Sequence, residues 1–111
     1  MTVGDVILLD EAVKDIEAGR DFYEKREEGI GEYFVHSLLS DITSLHLFAG
    51  IHPVHCGYMR MLSKRFPFAV YYDIEGDLAQ VVAILDMRQD PNATREILGR
   101  RKSQPSDAGN A

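Results

Sequence analysis

The sequence has little of what would tie a chain to a membrane or to a disulfide framework. No apolar run among its 111 residues approaches the roughly 20 residues that a membrane-spanning helix needs. The first fifteen residues lack the basic start and the cleavage site of a signal peptide. The single cysteine, Cys56, cannot form an internal disulfide, as is usual in a reducing compartment. We therefore expect a cytoplasmic protein that does not bind membranes.

Basic residues are scarce in the first half of the chain. Residues 1–50 hold four basic and eleven acidic side chains, net −7, whereas residues 51–111 have a net charge of +1. A chain of net charge −6 repels nucleic acid at long range, so we expect no direct binding of free nucleic acid.

Length and composition indicate one folded domain. Hydrophobic residues make up 45% of the chain and charged residues 27%, the balance of an ordinary globular protein. In the last eleven residues, alanine is the only apolar residue. We expect the domain to span residues 1–100 and the tail over 101–111 to be disordered.

The first half predicts one strand followed by a helical hairpin. Residues 3–9 are rich in β-branched side chains, and Asp10 is expected to cap a helix that runs to about residue 28. The close glycines of Gly29-Ile30-Gly31 predict a tight turn. A stripe with helical spacing then continues to Gly50 and predicts the second helix. It comprises Ile30, Phe34, Leu38, Ile42, Leu45 and Ala49.

The second half predicts three strands and a short helix. Period-two runs cover residues 54–62, 65–74 and 78–87, with turns at Ser63-Lys64 and at residues 75–77. Asp90 is expected to cap a helix over 91–98 that ends at Gly99. The predicted fold class is α+β, with the order β-α-α-β-β-β and a short C-terminal helix. The helical hairpin packs on one face of a mainly antiparallel four-stranded sheet.

The turn positions assign the strand side chains to two faces. They place Leu62 opposite Arg65, Tyr72 opposite Val81 and Pro67 opposite Asp86. One face is then apolar and packs against the hairpin: Met59, Met61, Phe66, Phe68, Val70, Tyr72, Val81, Ala83, Leu85 and Met87. The other carries Tyr58, Arg60, Arg65, Ala69, Tyr71, Asp73, Val82, Ile84, Asp86 and Arg88. Its apolar middle is expected to be covered by the C-terminal helix, through Ile97 and Leu98, or by a partner.

Four features of the second half are shared with a known family. They are Arg60, the step Phe66-Pro67-Phe68, the pair Tyr71-Tyr72 and the ending Asp86-Met87-Arg88-Gln89-Asp90-Pro91. Together with the element order, these residues resemble the RelE/ParE superfamily of bacterial type II toxin-antitoxin (plasmid stabilisation) systems over residues 3–98. The family ending often reads His-x-Arg-Arg-Asp-Pro, so Asp86 and Gln89 depart from it.

The resemblance implies a small toxin that a cognate antitoxin neutralises by wrapping it. RelE-like members cut messenger RNA in the ribosome, and ParE-like members poison DNA gyrase without being nucleases. The departure at Asp86 and the low pI favour a ParE-like, non-nucleolytic target. A ribosome-dependent endoribonuclease and a degenerate, non-toxic interaction module are the alternatives. The expected partners are the antitoxin and either gyrase or the ribosome.

The chemistry of RNA cleavage defines the candidate catalytic residues. It requires activation of a 2′-oxygen, cationic stabilisation of the phosphate and protonation of the leaving oxygen. Arginines supply the cations, Tyr71 or Tyr58 a proton donor and Asp86 the base. The catalytic candidates are thus Arg60, Arg65, Tyr71, Asp86 and Arg88. In the alternative interpretation, Arg65, Asp86 and Arg88 form an ion-pair cluster that only holds strand ends together.

The same face is the predicted partner-binding surface, through Tyr58, Arg60, Tyr71, Val82, Ile84 and Arg88. No cofactor or metal is expected. His52, His55 and Cys56 are closely spaced, but no second pair of ligands completes a tetrahedral site. His36 and His46 lie off the stripe of the second helix and are interpreted as surface residues.

Overall fold

The computed structural model describes residues 2–103 as a single sheet with helices on both faces. The strands are β1 (Asp5–Leu8), β2 (Val54–His55), β3 (Tyr58–Leu62), β4 (Phe68–Glu75) and β5 (Leu78–Asp86). Their order in the sheet is β1-β5-β4-β3-β2. β1 runs parallel to β5, and the other neighbours are antiparallel. The α+β fold class is confirmed.

The sheet has five strands among these residues, and the prediction of four is wrong because the run 54–62 contains a turn. Cys56 and Gly57 fold β2 back onto β3, so that His55 pairs with Tyr58. Both turn residues have positive φ, 55° and 84°, as a two-residue type I′ hairpin requires. Only two residues separate β2 from β3, and neither is proline, so the sequence gives little sign of a break within the run.

The helices are α1 (Asp10–Glu24), α2 (Ile30–Thr43), α3 (Leu45–Phe48) and α4 (Pro91–Ser103). The predicted turn between the first two is confirmed. Gly29 has a φ of 91°, and the Glu24 carboxylate accepts hydrogen bonds from the backbone N–H groups of Gly29 and Gly31 at 3.0 and 2.9 Å. One acidic side chain thus satisfies donors at the start of α2 that have no partner within the helix.

The predicted apolar stripe fills the space between the hairpin and the sheet. Its buried members are Phe34, Leu38, Ile42, Leu45 and Ala49. The ring centroid of Phe34 lies 4.9 Å from that of Phe68 on β4. On α1, a Cβ atom at Gly19 would lie 2.5 Å from the Phe34 ring, so only a glycine lets the two helices approach this closely.

Several predicted helix ends differ from the structure. α1 ends at Glu24 and not near residue 28, and the predicted second helix to Gly50 is divided into α2, which ends at Thr43, and the short α3. Leu9, not Asp10, is the N-cap of α1, and Asp10 is already helical. At α4 the predicted cap is confirmed, since Asp90 Oδ1 accepts the N–H of Asn92 at 2.9 Å. The helix continues past Gly99 to Ser103, so the predicted tail is wrong over 101–103, and its remainder lies outside the described residues. Among residues 2–103 we find no helix with the length and apolar character to cross a membrane.

The connection between β3 and β4 is longer than the predicted two-residue turn. Leu62 pairs with Ala69 instead of Arg65, so the loop covers residues 63–67. The buried Asp41 carboxylate holds this loop against α2 by accepting hydrogen bonds from Ser63 Oγ at 2.8 Å and from the Lys64 N–H at 3.2 Å. The register differs by an even number of residues, so each β3 side chain stays on its predicted face.

A β-bulge at Val82 overturns the predicted faces of β5. Tyr72 pairs with Val81 as predicted, but Tyr71 pairs with Ala83, and Val82 has no partner in the ladder. Beyond the bulge the strand is turned over, because side chains alternate with a period of two. Ile84 therefore lies in the core beneath the hairpin, and Leu85 lies on the opposite face. The predictions for Ala83, Ile84 and Leu85 are wrong for this reason, and Asp86 pairs with Phe68 instead of Pro67.

The sheet face opposite the hairpin is covered by α4, as one of the two predicted alternatives stated. Leu98 is 1% exposed and Ile97 is partly buried against this second apolar cluster. The cluster contains Tyr58, Ala69, Tyr71, Val82, Ala83 and Leu85. We call this side of the sheet the α4 face and the other the hairpin face.

Candidate functional site

Arg60 and Tyr71 form the centre of a small cavity on the α4 face. The two residues are direct cross-strand partners on β3 and β4, so their side chains project from the same side of the sheet. Tyr71 is buried, and the Arg60 guanidinium lies beside its hydroxyl. The pairing brings together two of the predicted site residues.

The cavity has a volume of about 130 Å³ and lies between β3, β4 and the start of α4. Met87 and Pro91 supply the apolar part of its wall. Seven polar or charged side chains supply the remainder: His55, Cys56, Arg60, Tyr71, Gln89, Thr94 and Arg95. No aspartate or glutamate lines this cavity within the part of the chain that the structure describes. The wall is therefore cationic and rich in hydrogen-bond donors.

One donor in the cavity has no partner. Arg60 Nε is buried and makes no hydrogen bond to any described residue. A buried donor without a partner costs free energy, and such groups are uncommon in folded proteins. Arg60 therefore carries an unsatisfied buried donor at Nε, while the residue itself forms part of the cavity wall.

Burial keeps the two tyrosines of the α4 face protonated. It raises the pKa of Tyr71 above the ordinary value, and the neighbouring Arg60 guanidinium offsets part of this rise. Burial, together with the charge of Asp73, also raises the pKa of Tyr58. Both hydroxyls are therefore proton or hydrogen-bond donors at neutral pH, and neither can act as a general base.

Asp86 and Arg88 form a separate ion pair on the hairpin side. Arg88 donates from Nη2 to Asp86 Oδ2 at 2.7 Å and from Nε to Oδ1 at 3.0 Å. Its Nη2 also lies 3.4 Å from the hydroxyl of Tyr23 on α1. The prediction that Arg60 and Arg88 share one surface is wrong, because the Val82 bulge turns the end of β5 toward the hairpin.

The ion pair makes Asp86, the only predicted general base, unsuited to that role. Hydrogen bonds from Arg88 lower the pKa of Asp86 below its ordinary value, so the carboxylate is a weak proton acceptor. Arg65 is exposed in the loop over 63–67 and forms no ion pair with any residue of the described range. Only the Asp86–Arg88 part of the predicted ion-pair cluster is therefore present.

The remaining predicted partner residues are not exposed. Tyr58 and Val82 lie on the α4 face but are 7% and 6% exposed beneath α4, and Ile84 is in the hairpin-side core. Of the predicted partner surface, Arg60 and Tyr71 alone line the cavity.

Sequence reasoning missed the contribution of α4 to the site. Gln89, Thr94 and Arg95 reach the cavity because Ile97 and Leu98 dock the helix on the sheet. That docking was predictable. Because Arg95 lies three residues before Leu98, a helical projection would have placed the two side chains next to each other along the helix. His55 and Cys56 line the same cavity, while His52 contacts Tyr72 instead. Residues 2–103 contain no group of three or more His, Cys, Asp or Glu side chains that could hold a metal ion.

Comparison with known proteins identifies a similar solved structure. No protein-family model matches the sequence, and no curated protein matches it. A solved structure titled "Chromosomal ParDE TA system from P. aeruginosa" superposes with a TM-score of 0.69. The match covers 76% of this chain and 96% of that chain at 18% sequence identity. The chain therefore shares its fold with a chain of that system. At this identity the similarity establishes the architecture, and function has to be argued from the site.

Proposed function

We propose that the chain is the toxin of a type II toxin-antitoxin system and that a cognate antitoxin neutralises it. The observation that carries this proposal is the similarity to a chain of a ParDE toxin-antitoxin system over nearly the whole of that chain. The α4-face cavity around Arg60 and Tyr71 is the proposed contact site, because it presents buried donors without acidic neighbours. The proposed role includes plasmid stabilisation and places the chain in the bacterial cytoplasm, where its candidate targets lie.

A non-nucleolytic, ParE-like target is favoured by the chemistry of the cavity. RNA cleavage needs a base to activate the 2′-oxygen. Asp86, the predicted base, is paired with Arg88 away from Arg60, and the raised pKa of Tyr71 keeps that hydroxyl protonated. The cavity can bind an anion and donate a proton, but its tyrosine and arginines do not supply the base.

The alternative is a ribosome-dependent endoribonuclease. It is supported by the juxtaposition of a cation, Arg60, with a protonated hydroxyl, Tyr71, since these groups can stabilise a phosphorane and protonate a leaving oxygen. His55 on the cavity wall is a third ionisable group. In this alternative the base is His55 or a group of the ribosome.

Expression in a bacterium that encodes no antitoxin for this chain tests the toxin assignment. We expect growth arrest, and we expect co-expression of the cognate antitoxin to relieve it. Arg60→Ala should reduce the arrest, whereas Arg88→Ala should retain it because Arg88 lies outside the cavity. Normal growth with soluble, folded chain would instead support a degenerate interaction module.

Two further assays separate the targets. Purified chain should inhibit DNA supercoiling by gyrase if the target is ParE-like. Primer extension on messenger RNA from arrested cells should show no cleavage at codon positions. Cleavage that is lost with Arg60→Ala would reject the non-nucleolytic proposal and establish the alternative.

A further inference from the structure

Among residues 2–103, the wall of the Arg60 cavity carries positively charged side chains and no negatively charged ones. Arg60 and Arg95 bring two cations, and the hydroxyls of Tyr71 and Thr94 bring donors. The acidic residues next to lining residues in the sequence have partners of their own: Asp86 pairs with Arg88, Asp90 accepts the Asn92 N–H at 2.9 Å, and Glu96 pairs with Arg100. The described part of the chain therefore supplies no counter-charge to this cavity, which favours an anion from outside.

The geometry of Arg60 narrows the type of anion. A guanidinium presents Nε–H and a terminal N–H as a planar fork that matches the two oxygens of a carboxylate or a phosphate. Here Nε is buried and has no partner among the described residues, while the Tyr71 hydroxyl lies beside the same group. Nε itself is closed off from solvent, so an acceptor that enters the cavity would bind the terminal N–H groups of Arg60 and the Tyr71 hydroxyl together, since both residues line the wall.

Size and net charge decide between carboxylate and phosphate. The cavity of about 130 Å³ is well below the roughly 300 Å³ at which pockets for small-molecule ligands begin, so it admits one side chain or one phosphate group but not a whole nucleotide, and net charge decides between the two. The chain has a net charge of −6, which opposes the approach of a polyanion more strongly than that of a peptide bearing one carboxylate. Met87 and Pro91 offer apolar surface for the stem of such a side chain.

We infer that the cavity is a receptor for one carboxylate side chain, a glutamate of the antitoxin, with Arg60 binding the carboxylate and Tyr71 donating to it. This inference rests on the proposed function, to which it adds the chemistry of the contact. The antitoxin segment that covers the α4 face should then have a glutamate at this one position. The residues next to that glutamate should be apolar and contact Met87.

The test uses the unaltered chain and small probes. In 15N-labelled protein, the Nε–H resonance of Arg60 is identified by its loss in Arg60→Lys and then followed during titration. The probes are glutamate with acetylated and methylamidated ends, the matched capped glutamine, and the dinucleotide UpU. Arg88→Ala is the control for a guanidinium outside the cavity.

We expect capped glutamate to shift the Arg60 resonance saturably, with an affinity about tenfold or more above that of capped glutamine, because hydrogen bonds to charged groups are the stronger ones. Arg88→Ala should behave as the unaltered chain does. Equal binding of glutamate and glutamine, no shift with any probe, or UpU binding as tightly as capped glutamate would each overturn the inference.

The growth assay reports independently on the proposed function. If growth arrest and its relief are observed but capped glutamate does not bind, the toxin assignment is supported and the inferred carboxylate site is rejected. If capped glutamate binds but growth is unaffected, the cavity does bind a carboxylate, but the claim that an antitoxin supplies this carboxylate is rejected.

Discussion

Asp15 and Arg101 are 86 residues apart and form a largely buried ion pair over the edge of β5. Arg101 Nη2 donates to Asp15 Oδ1 at 2.9 Å, and the two side chains are 15% and 14% exposed. The pair also completes the strand: the Ile84 N–H donates to Asp15 Oδ2 at 2.9 Å, and Arg101 Nη1 donates to the Val82 carbonyl at 3.0 Å. β1 pairs with β5 only as far as Val81, so these side chains replace the strand partner that is missing at the bulge.

We expect Asp15→Ala to destabilise the chain by about 2 to 4 kcal/mol, because it leaves a buried guanidinium and a backbone N–H without partners. Denaturant unfolding followed by circular dichroism measures the change. Lys14→Ala is the control: its pair with Glu11 is exposed, and its loss should cost no more than about 0.5 kcal/mol. Similar losses in both variants would show that the ion pair over β5 contributes little.

Local patterns predicted where the helices lie and which side chains of β3 and β4 face the hairpin, although the break between α2 and α3 was missed. The stripe from Phe34 to Ala49 was visible because helix periodicity depends only on neighbouring residues. The loop between β3 and β4 was predicted too short, but the error was even in register and left the faces of Met61 and Arg60 unchanged. The general position of the core could therefore be predicted from the sequence.

The site could be predicted only in part, because one residue decides which face the end of β5 presents. The bulge at Val82 has no glycine to mark it, and the groups that stabilise it, Asp15 and Arg101, are distant in sequence. It separates Arg88 from Arg60 and moves Ile84 into the core. Cross-strand pairing, in contrast, brought Arg60 and Tyr71 together.

Gly29 and Gly99 should respond in opposite directions to alanine. Neither has a neighbour within 4 Å of an added Cβ, so backbone conformation decides the outcome. Gly29 has a φ of 91°, and alanine there should destabilise the chain by about 1 to 2 kcal/mol. Gly99 is inside α4, and alanine there should stabilise by about 0.5 to 1 kcal/mol.

Melting temperatures of the two glycine variants provide the comparison. The two shifts should have opposite signs against the same unaltered chain. If Gly99→Ala has no effect on global stability, α4 unfolds separately from the sheet, and its docking through Leu98 is weaker than the buried contact indicates.

His52 should make the stability of the chain depend on pH. Its Nδ1 lies 2.5 Å from the Tyr72 hydroxyl, and burial lowers the pKa of the imidazole below the ordinary value. The unfolded chain then binds the proton more readily, so the contribution of neutral His52 is fully present above about pH 6.5, the ordinary pKa. It is lost progressively as the pH falls from there through the lower pKa of the folded chain.

The free energy of unfolding between pH 5 and 7.5 tests this. We expect a shallower loss of stability toward low pH in His52→Gln than in the unaltered chain. His36→Gln, at an exposed position on α2, should retain the original slope. An unchanged slope in His52→Gln would show that the buried imidazole does not contribute to the pH dependence.

The adjacent residues Tyr71 and Tyr72 separate binding from folding, because they point to opposite faces of β4. The Tyr71 hydroxyl lies beside Arg60 in the cavity, while the Tyr72 hydroxyl accepts the Gly50 N–H at 2.9 Å on the hairpin face. Tyr71→Phe should weaken binding of the antitoxin roughly two- to tenfold, the value of one hydrogen bond, with little change in stability. Tyr72→Phe should destabilise the chain by about 1 to 3 kcal/mol, since it leaves the Gly50 N–H without its partner, and should leave Kd unchanged.

Calorimetric titration and unfolding of both tyrosine variants measure these two effects on the same purified proteins. Both substitutions remove one hydroxyl from the same strand, so the unfolding data show whether a change in affinity follows only from a loss of stability. A loss of affinity confined to Tyr71→Phe places the antitoxin on the α4 face. A loss confined to Tyr72→Phe places it on the side of the helical hairpin, and equal losses show that the antitoxin senses the stability of the sheet instead of the cavity.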